Sequence, residues 1–234
     1  MLARGSRRSK RAGRIAFVLA AAILSSPATA QQSACPPSRS PIKLNFKTLA
    51  PTPTYSHRLN LNGIAARSRS PGARTEASSR PVGLTSVSTM FELKGATSIV
   101  RRGQTWCSYL ASVDVNFGWD NMQVFIPSEY HQASCEYRAV MDHENQHVSI
   151  IRSALKEFSP IARARVEQVM AKSRPIPGAG EGSVDQALAP IKAELEGLLL
   201  EFNEMHGARS AIIDTPSNYR ATTALCRNWD GQGR

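Results

Sequence analysis

The chemistry in this sequence is concentrated in five residues at its middle, His143-Glu144-Asn145-Gln146-His147. On an α-helix, residues four apart lie one turn above each other on the same face. Two imidazoles so placed reach neighbouring tetrahedral positions on one zinc ion. Glu144 sits where its carboxylate meets a water on that ion. Zinc lowers the pKa of the water, and the carboxylate takes its proton. This is the physical content of HExxH on a helix. The alternative is two core histidines held by backbone groups or carboxylates, because an unpartnered ring on an apolar face is costly.

The flanking residues supply the helix. Ser134 is a suitable N-cap, and Val140, His143, His147, Ile151, Leu155 and Phe158 recur at three- and four-residue steps. Pro160 is expected to end or kink this helix, with Ile161 to Lys172 continuing as a helical segment. Ser173 to Ser183 reads as a Pro/Gly-rich loop. Asp185 to about Arg209 reads as a second amphipathic helix with the stripe Ile191, Leu195, Leu198, Phe202 and Met205.

Catalytic zinc takes three protein ligands and leaves one position to water. His206 shares the apolar face of the second helix and is the expected third ligand, with Glu194 or Glu201 as alternatives. His57 and His131 lie outside both helices, and Glu204 points away from the stripe. Asp142 and Asp214 are candidates to orient a histidine. Arg209 and Tyr219 are candidates to stabilise an oxyanion. Asp214-Thr215-Pro216 reads as a cap followed by proline in the first turn of a short helix.

Upstream, Val87 to Leu93 alternates as a strand. Trp106 to Phe117 and Met122 to Ile126 are β-rich runs around Gly118-Trp119-Asp120-Asn121, which reads as a hairpin turn. Residues 31–84 are rich in Pro, Ser and Arg, with apolar alternation only at Ile42 to Leu49 and Leu59 to Ile64. Ala65 to Pro81 reads as linker.

The N-terminus has the order of a secretory signal peptide. Six basic residues and no acid precede the apolar run Ile15 to Leu24, and Ala28-Thr29-Ala30 follows. The run is half the length a membrane span needs. The expected divisions are 1–30 signal peptide, 31–84 basic tail and 85–234 folded domain. The formal charge is +11, but its basicity is confined: residues 31–80 hold eight Lys or Arg against one acid, and residues 81–234 hold fifteen against seventeen. A nucleic-acid binder would carry its basic patch on the folded domain. The tail could still touch anionic envelope polymers. Four cysteines in an exported chain suggest two disulfides. Cys107 and Cys135 flank the expected hairpin and are paired on that ground, which leaves Cys35 with Cys226.

Cys135, the run Tyr137-Arg138-Ala139-Val140-Met141-Asp142 leading into the HExxH motif, and the later His206-Gly207 before Trp229 resemble a bacterial family of secreted zinc-dependent proteases within the broader zincin group. The resemblance covers roughly residues 85–230 and is carried chiefly by the HExxH core. It implies a zincin-like fold, His143 and His147 as metal ligands and Glu144 as base. The long Gly-rich zinc signature and Met-turn of metzincins are absent.

The expected fold class is α+β: a small antiparallel sheet packed on the HExxH helix and a second long helix. The expected function is that of a monomeric periplasmic or extracellular zinc metallopeptidase acting on peptide or protein substrates, with no nucleic-acid partner. The alternative is a non-catalytic, zinc-stabilised envelope binding protein.

Overall fold

A computed structural model describes residues 35–69, 81–178, 180, 182–227 and 229. The expected signal peptide and most of the expected linker lie outside the described residues. The elements run β1 (Lys43–Leu49), β2 (Thr54–Ser56), α1 (Leu61–Ser68), β3 (Leu84–Arg102), β4 (Thr105–Phe125), α2 (Cys135–Ala171), β5 (Ile176–Pro177), α3 (Gly182–Ile213) and α4 (Pro216–Ala224). Mixed helix and sheet agrees with the α+β expectation. None of the described helices is long and apolar enough to cross a membrane.

The sheet departs from expectation in two ways. The expected hairpin turn at Gly118 to Asn121 is not a turn, because β4 runs straight through it. Thr89 pairs with Trp119 and Ser88 with Asn121, which leaves Asp120 as the extra residue of a bulge. Gly, Asp and Asn suit bulges as well as turns. Gly118 has a φ of +151°, and a Cβ there would lie 2.0 Å from the Leu49 carbonyl oxygen, so only glycine fits beside the end of β1. The real reversal is the two-residue loop Gly103-Gln104, with Arg102 paired to Thr105 and Gly103 at φ +59°.

Secondly, the sheet is mixed rather than antiparallel. β3 is antiparallel to β4, but β1 and β2 pair with β4 in parallel. β5 pairs with β4 at Cys107 and Ser108. Since β3 fills one edge of β4 throughout, β1, β2 and β5 share the other. The segment read as a tail therefore supplies two strands and α1, and the alternation at Ile42 to Leu49 was its signal.

β4 carries the core. Val113, Val115, Phe117, Trp119, Met122 and Val124 are all buried against α2 and α3. Phe117, Phe158 of α2 and Phe202 of α3 meet with ring centroids 5.9–6.0 Å apart. α2 begins at Ser134, whose side chain accepts from the Tyr137 amide at 3.1 Å. It does not end at Pro160. An interior proline costs about 3 kcal/mol, but Ala162, Val166 and Met170 continue the buried stripe beyond it. Buried Val and Met side chains contribute roughly 1.5–3 kcal/mol each, so Val166 and Met170 together offset the proline.

Both disulfides differ from the expected pairing. They join Cys35 to Cys107 and Cys135 to Cys226, and no cysteine is free. The reason is the length of β4. From Cys107 to Phe125 an extended strand spans about 60 Å, whereas the ten residues on to Cys135 reach back at most about 35 Å. Two disulfides fit an oxidising, non-cytoplasmic compartment.

Candidate metal centre

α2 places His143, Glu144 and His147 on its buried side, 4%, 3% and 7% exposed. The two imidazole rings stand edge to face with centroids 5.0 Å apart. Their common partner is Asp214. Its Oδ1 lies 3.1 Å from Nε2 of His143 and 3.1 Å from Nε2 of His147. Among the described residues, these three form the group whose ligand atoms all lie within 4.8 Å of one another and could hold a metal ion.

The donor set suits such an ion. Tyr219 Oη also donates to Asp214 Oδ1, at 3.2 Å, so one carboxylate oxygen faces three polar groups. A carboxylate oxygen offers about two lone-pair directions, and three donors crowd it. Ligands 2.0–2.2 Å from a tetrahedral zinc are about 3.3–3.5 Å apart, close to the 3.1 Å spacings. Two of the three spacings thus come near those of ligands on one ion, and all three atoms lie within 4.8 Å of one another.

Asp214 reaches the histidines because of how α3 ends. α3 continues to Ile213, beyond the expected stop near Arg209. Thr215 then caps α4, its Oγ1 accepting from the Asn218 amide, and Pro216 occupies the first turn. With Thr215 as the cap, Asp214 is released to face α2. One turn into α4, Tyr219 lays its ring 5.5 Å from that of His143.

The expected third ligand, His206, is engaged elsewhere. Its Nε2 lies 3.1 Å from Asn203 Oδ1 and its ring packs edge-on against Phe202. It precedes Asp214 by eight residues, about 12 Å of helix rise. The alternatives Glu194 and Glu201 both bind Arg165 at 2.6 Å. His57 lies 2.8 Å from the Tyr130 carbonyl, and His131 accepts from the Ala133 amide. Arg209 makes a two-pronged pair with Glu157, and Asp142 is exposed. Asp214 and Tyr219 were legible only as secondary candidates. The missed signal was that Thr215 before Pro216 suffices as a cap and leaves a spare carboxylate at a helix junction.

Glu144 is held from the sheet side. Thr85, near the start of β3, donates its hydroxyl to Glu144 Oε2 at 2.7 Å. At Gly83 a Cβ would lie 2.5 Å from Glu144 Oε1 and 2.6 Å from Val140 Cγ1, so any side chain here would have to displace both from this face of α2. Burial pushes the Glu144 carboxyl above its ordinary range, against the pull of His147, Thr85 and His143. Burial disfavours charge on His147, but the bond to Asp214 and the charge of Glu144 outweigh it and raise its pKa. Burial also works against Asp214 ionising, yet its bonds to His143 and His147 hold it well below the carboxylate range. Burial and the neighbouring Asp214 push the Tyr219 phenol upward, so it remains a proton donor at neutral pH.

Comparison with protein-family models, with curated proteins and with solved structures finds no match to this chain. The site rests on its own geometry.

Proposed function

We propose that this chain is an exported zinc-dependent hydrolase that cleaves peptide bonds, with a zincin-like arrangement of sheet and helix. The observation that carries the reading is the convergence of Asp214 on His143 and His147 beside a buried glutamate. His143, His147 and Asp214 would hold the ion. When bound, zinc supplies a Lewis acid that polarises a carbonyl and lowers the pKa of water. Glu144 accepts the proton of the attacking water and delivers it to the departing amine. Burial disfavours the charged form of Glu144, which favours its giving the proton back. Tyr219, held protonated, would offer its Oη–H to the oxygen on which charge develops by turning it from Asp214 Oδ1, its acceptor in the substrate-free site.

The substrate is placed by β3. Among the described residues β3 pairs only with β4, and its first residues touch Glu144 through Thr85. An extended peptide added to that edge would run past the base, held by main-chain hydrogen bonds. The non-catalytic alternative calls for a closed site of four ligands, and no fourth His, Cys, Asp or Glu joins the group among the described residues.

Glu144→Gln tests the reading. Metal content by elemental analysis should stay at one equivalent, while hydrolysis of an unfolded protein substrate falls by about 10²–10⁴-fold. Undiminished hydrolysis in a metal-loaded variant would remove Glu144 from its role. Absence of metal in the folded parent would remove the reading altogether.

A further inference from the structure

The far end of the β3–β4 hairpin, remote in sequence from the metal group, exposes what sheets normally cover. α3 covers the hairpin as far as Gly95, where Leu188 packs against the backbone. Beyond it the strands continue to the Gly103-Gln104 reversal. Arg101 pairs with Trp106, and Ile99 is two residues from Arg101, so Ile99, Arg101 and Trp106 share one face. Ile99 is 46% and Trp106 48% exposed, and Val100, on the opposite face of the strand, is 37% exposed. The Arg101 guanidinium stands 6.0 Å from the centroid of the Trp106 ring. From Gly95 to Val113 the chain holds Arg101 and Arg102 and no acid; Lys94, before it, lies opposite Asp114.

This end is braced. The Cys35–Cys107 disulfide anchors β4 opposite Val100. β5 pairs with Cys107 and Ser108, and the Gly178 amide donates to the Trp106 carbonyl at 2.7 Å. The apolar side chains are therefore presented on a supported hairpin, and little ordering would be lost on contact.

We propose that this hairpin end docks on an anionic lipid bilayer. A convex two-residue reversal offers no groove for a chain or small molecule, so its complement is a surface. Tryptophan settles at the boundary between headgroups and acyl chains, apolar below and hydrogen-bonding above. Guanidinium forks pair with lipid phosphates, and the acid-free stretch gives the electrostatic complement to an anionic leaflet. The inference is independent of the hydrolase reading, and binding needs neither metal nor Glu144.

The test is co-sedimentation of the purified full chain with phosphatidylglycerol-containing vesicles and with pure phosphatidylcholine vesicles. Binding is expected to the anionic vesicles and to weaken with salt. Arg101→Gln/Arg102→Gln should reduce it about 30-fold, as loss of two surface cations predicts. Ile99→Ser/Trp106→Ser should reduce it at least tenfold with an unchanged thermal transition. The arginine pair keeps the test decisive should the second variant fold poorly. Equal binding to both vesicles, or none to either, would overturn the proposal. So would binding undiminished in the arginine variant, which would assign the contact to the basic stretch before Pro81. Competition by soluble polyphosphate with Ile99 and Trp106 irrelevant would replace the bilayer by a polyanion.

Discussion

The two halves of the candidate metal group are built on opposite terms. α2 brings His143, Glu144 and His147 on a helix of 37 residues whose buried face runs from Glu136 to Met170. α4 and the residue before its cap bring Tyr219 and Asp214 on a helix of nine residues, none of them buried. The first half is fixed by the core, and its geometry survives as long as the fold does. The second is held by a few specific ties. These are the Cys135–Cys226 disulfide, the Asp214 bonds to the histidines, and Trp229, whose ring meets Tyr130 and whose indole N–H donates to the Thr223 and Cys226 carbonyls. Segments with few buried contacts open at low free-energy cost. A metal bound across the two halves would make closing of the arm and metal binding one equilibrium.

The largest effect should come from removing a ligand from either half. Outer partners of metal ligands account for about 10–100-fold in affinity, and a true ligand exceeds that. His147→Ala and Asp214→Ala should therefore both lose more than about 100-fold in zinc affinity by competition with a chelating dye, while His206→Ala leaves it unchanged. A loss of only 10–100-fold in Asp214→Ala would make that residue an orienting partner, and the arm would no longer be half of the site.

The disulfides separate the halves next. Removal of a native disulfide typically costs 2–5 kcal/mol. Cys35→Ser/Cys107→Ser should lower the thermal transition and leave metal affinity intact in the folded protein. Cys135→Ser/Cys226→Ser should lower the thermal transition too, but with metal affinity falling as well. Amide exchange in α4 rises and metal affinity falls about tenfold or more, while α2 keeps its protection. Equal metal affinity in both variants would show that Asp214 needs no tether.

The same division explains what the sequence revealed. The α2 half was legible because its signals are local: a cap at Ser134, a periodic apolar face, and two histidines one turn apart. The arm was not, because the local signals at Thr215 and Pro216 mark a helix start but do not say that α3 runs past Arg209 to Ile213 and so delivers Asp214 to the histidines rather than to the cap. The sheet failed for a related reason. Gly118 and Asp120 have the composition of a turn, and only the approach of Leu49 from β1 makes them a bulge in a continuous strand. That reading in turn misplaced Cys107 and reversed the disulfide pairing. The contribution of residues 43–49 to a parallel edge was visible as alternation but was outweighed by the Pro- and Ser-rich surroundings.

A smaller effect sharpens the α2 half against the sheet. In Gly83→Ala the new Cβ meets Glu144 and Val140 well inside contact distance. Overpacking of this kind costs about 1–3 kcal/mol, and here the strain falls on Glu144, the proposed base. Hydrolysis should fall with metal affinity unchanged. A parallel fall in both would mean that the strain spreads along α2 to the histidines.

The smallest effect concerns charge. The Glu144 carboxyl has a folded-state pKa raised above its ordinary 4.5, chiefly by burial. Between that ordinary value and the raised one the folded chain binds more protons than the unfolded chain, so stability falls as pH rises through this window. In the chelated protein, Glu144→Gln removes the penalty of burying the charged form. The variant should be more stable than its parent near neutral pH, and the difference should disappear as pH falls below about 4.5, where both states of the parent are protonated. Denaturant midpoints of the two metal-free proteins across that range measure it. A variant less stable than its parent at neutral pH would mean that the bond from Thr85 and the attraction of His147 outweigh burial, and Glu144 would then sit in a site built for its charged form.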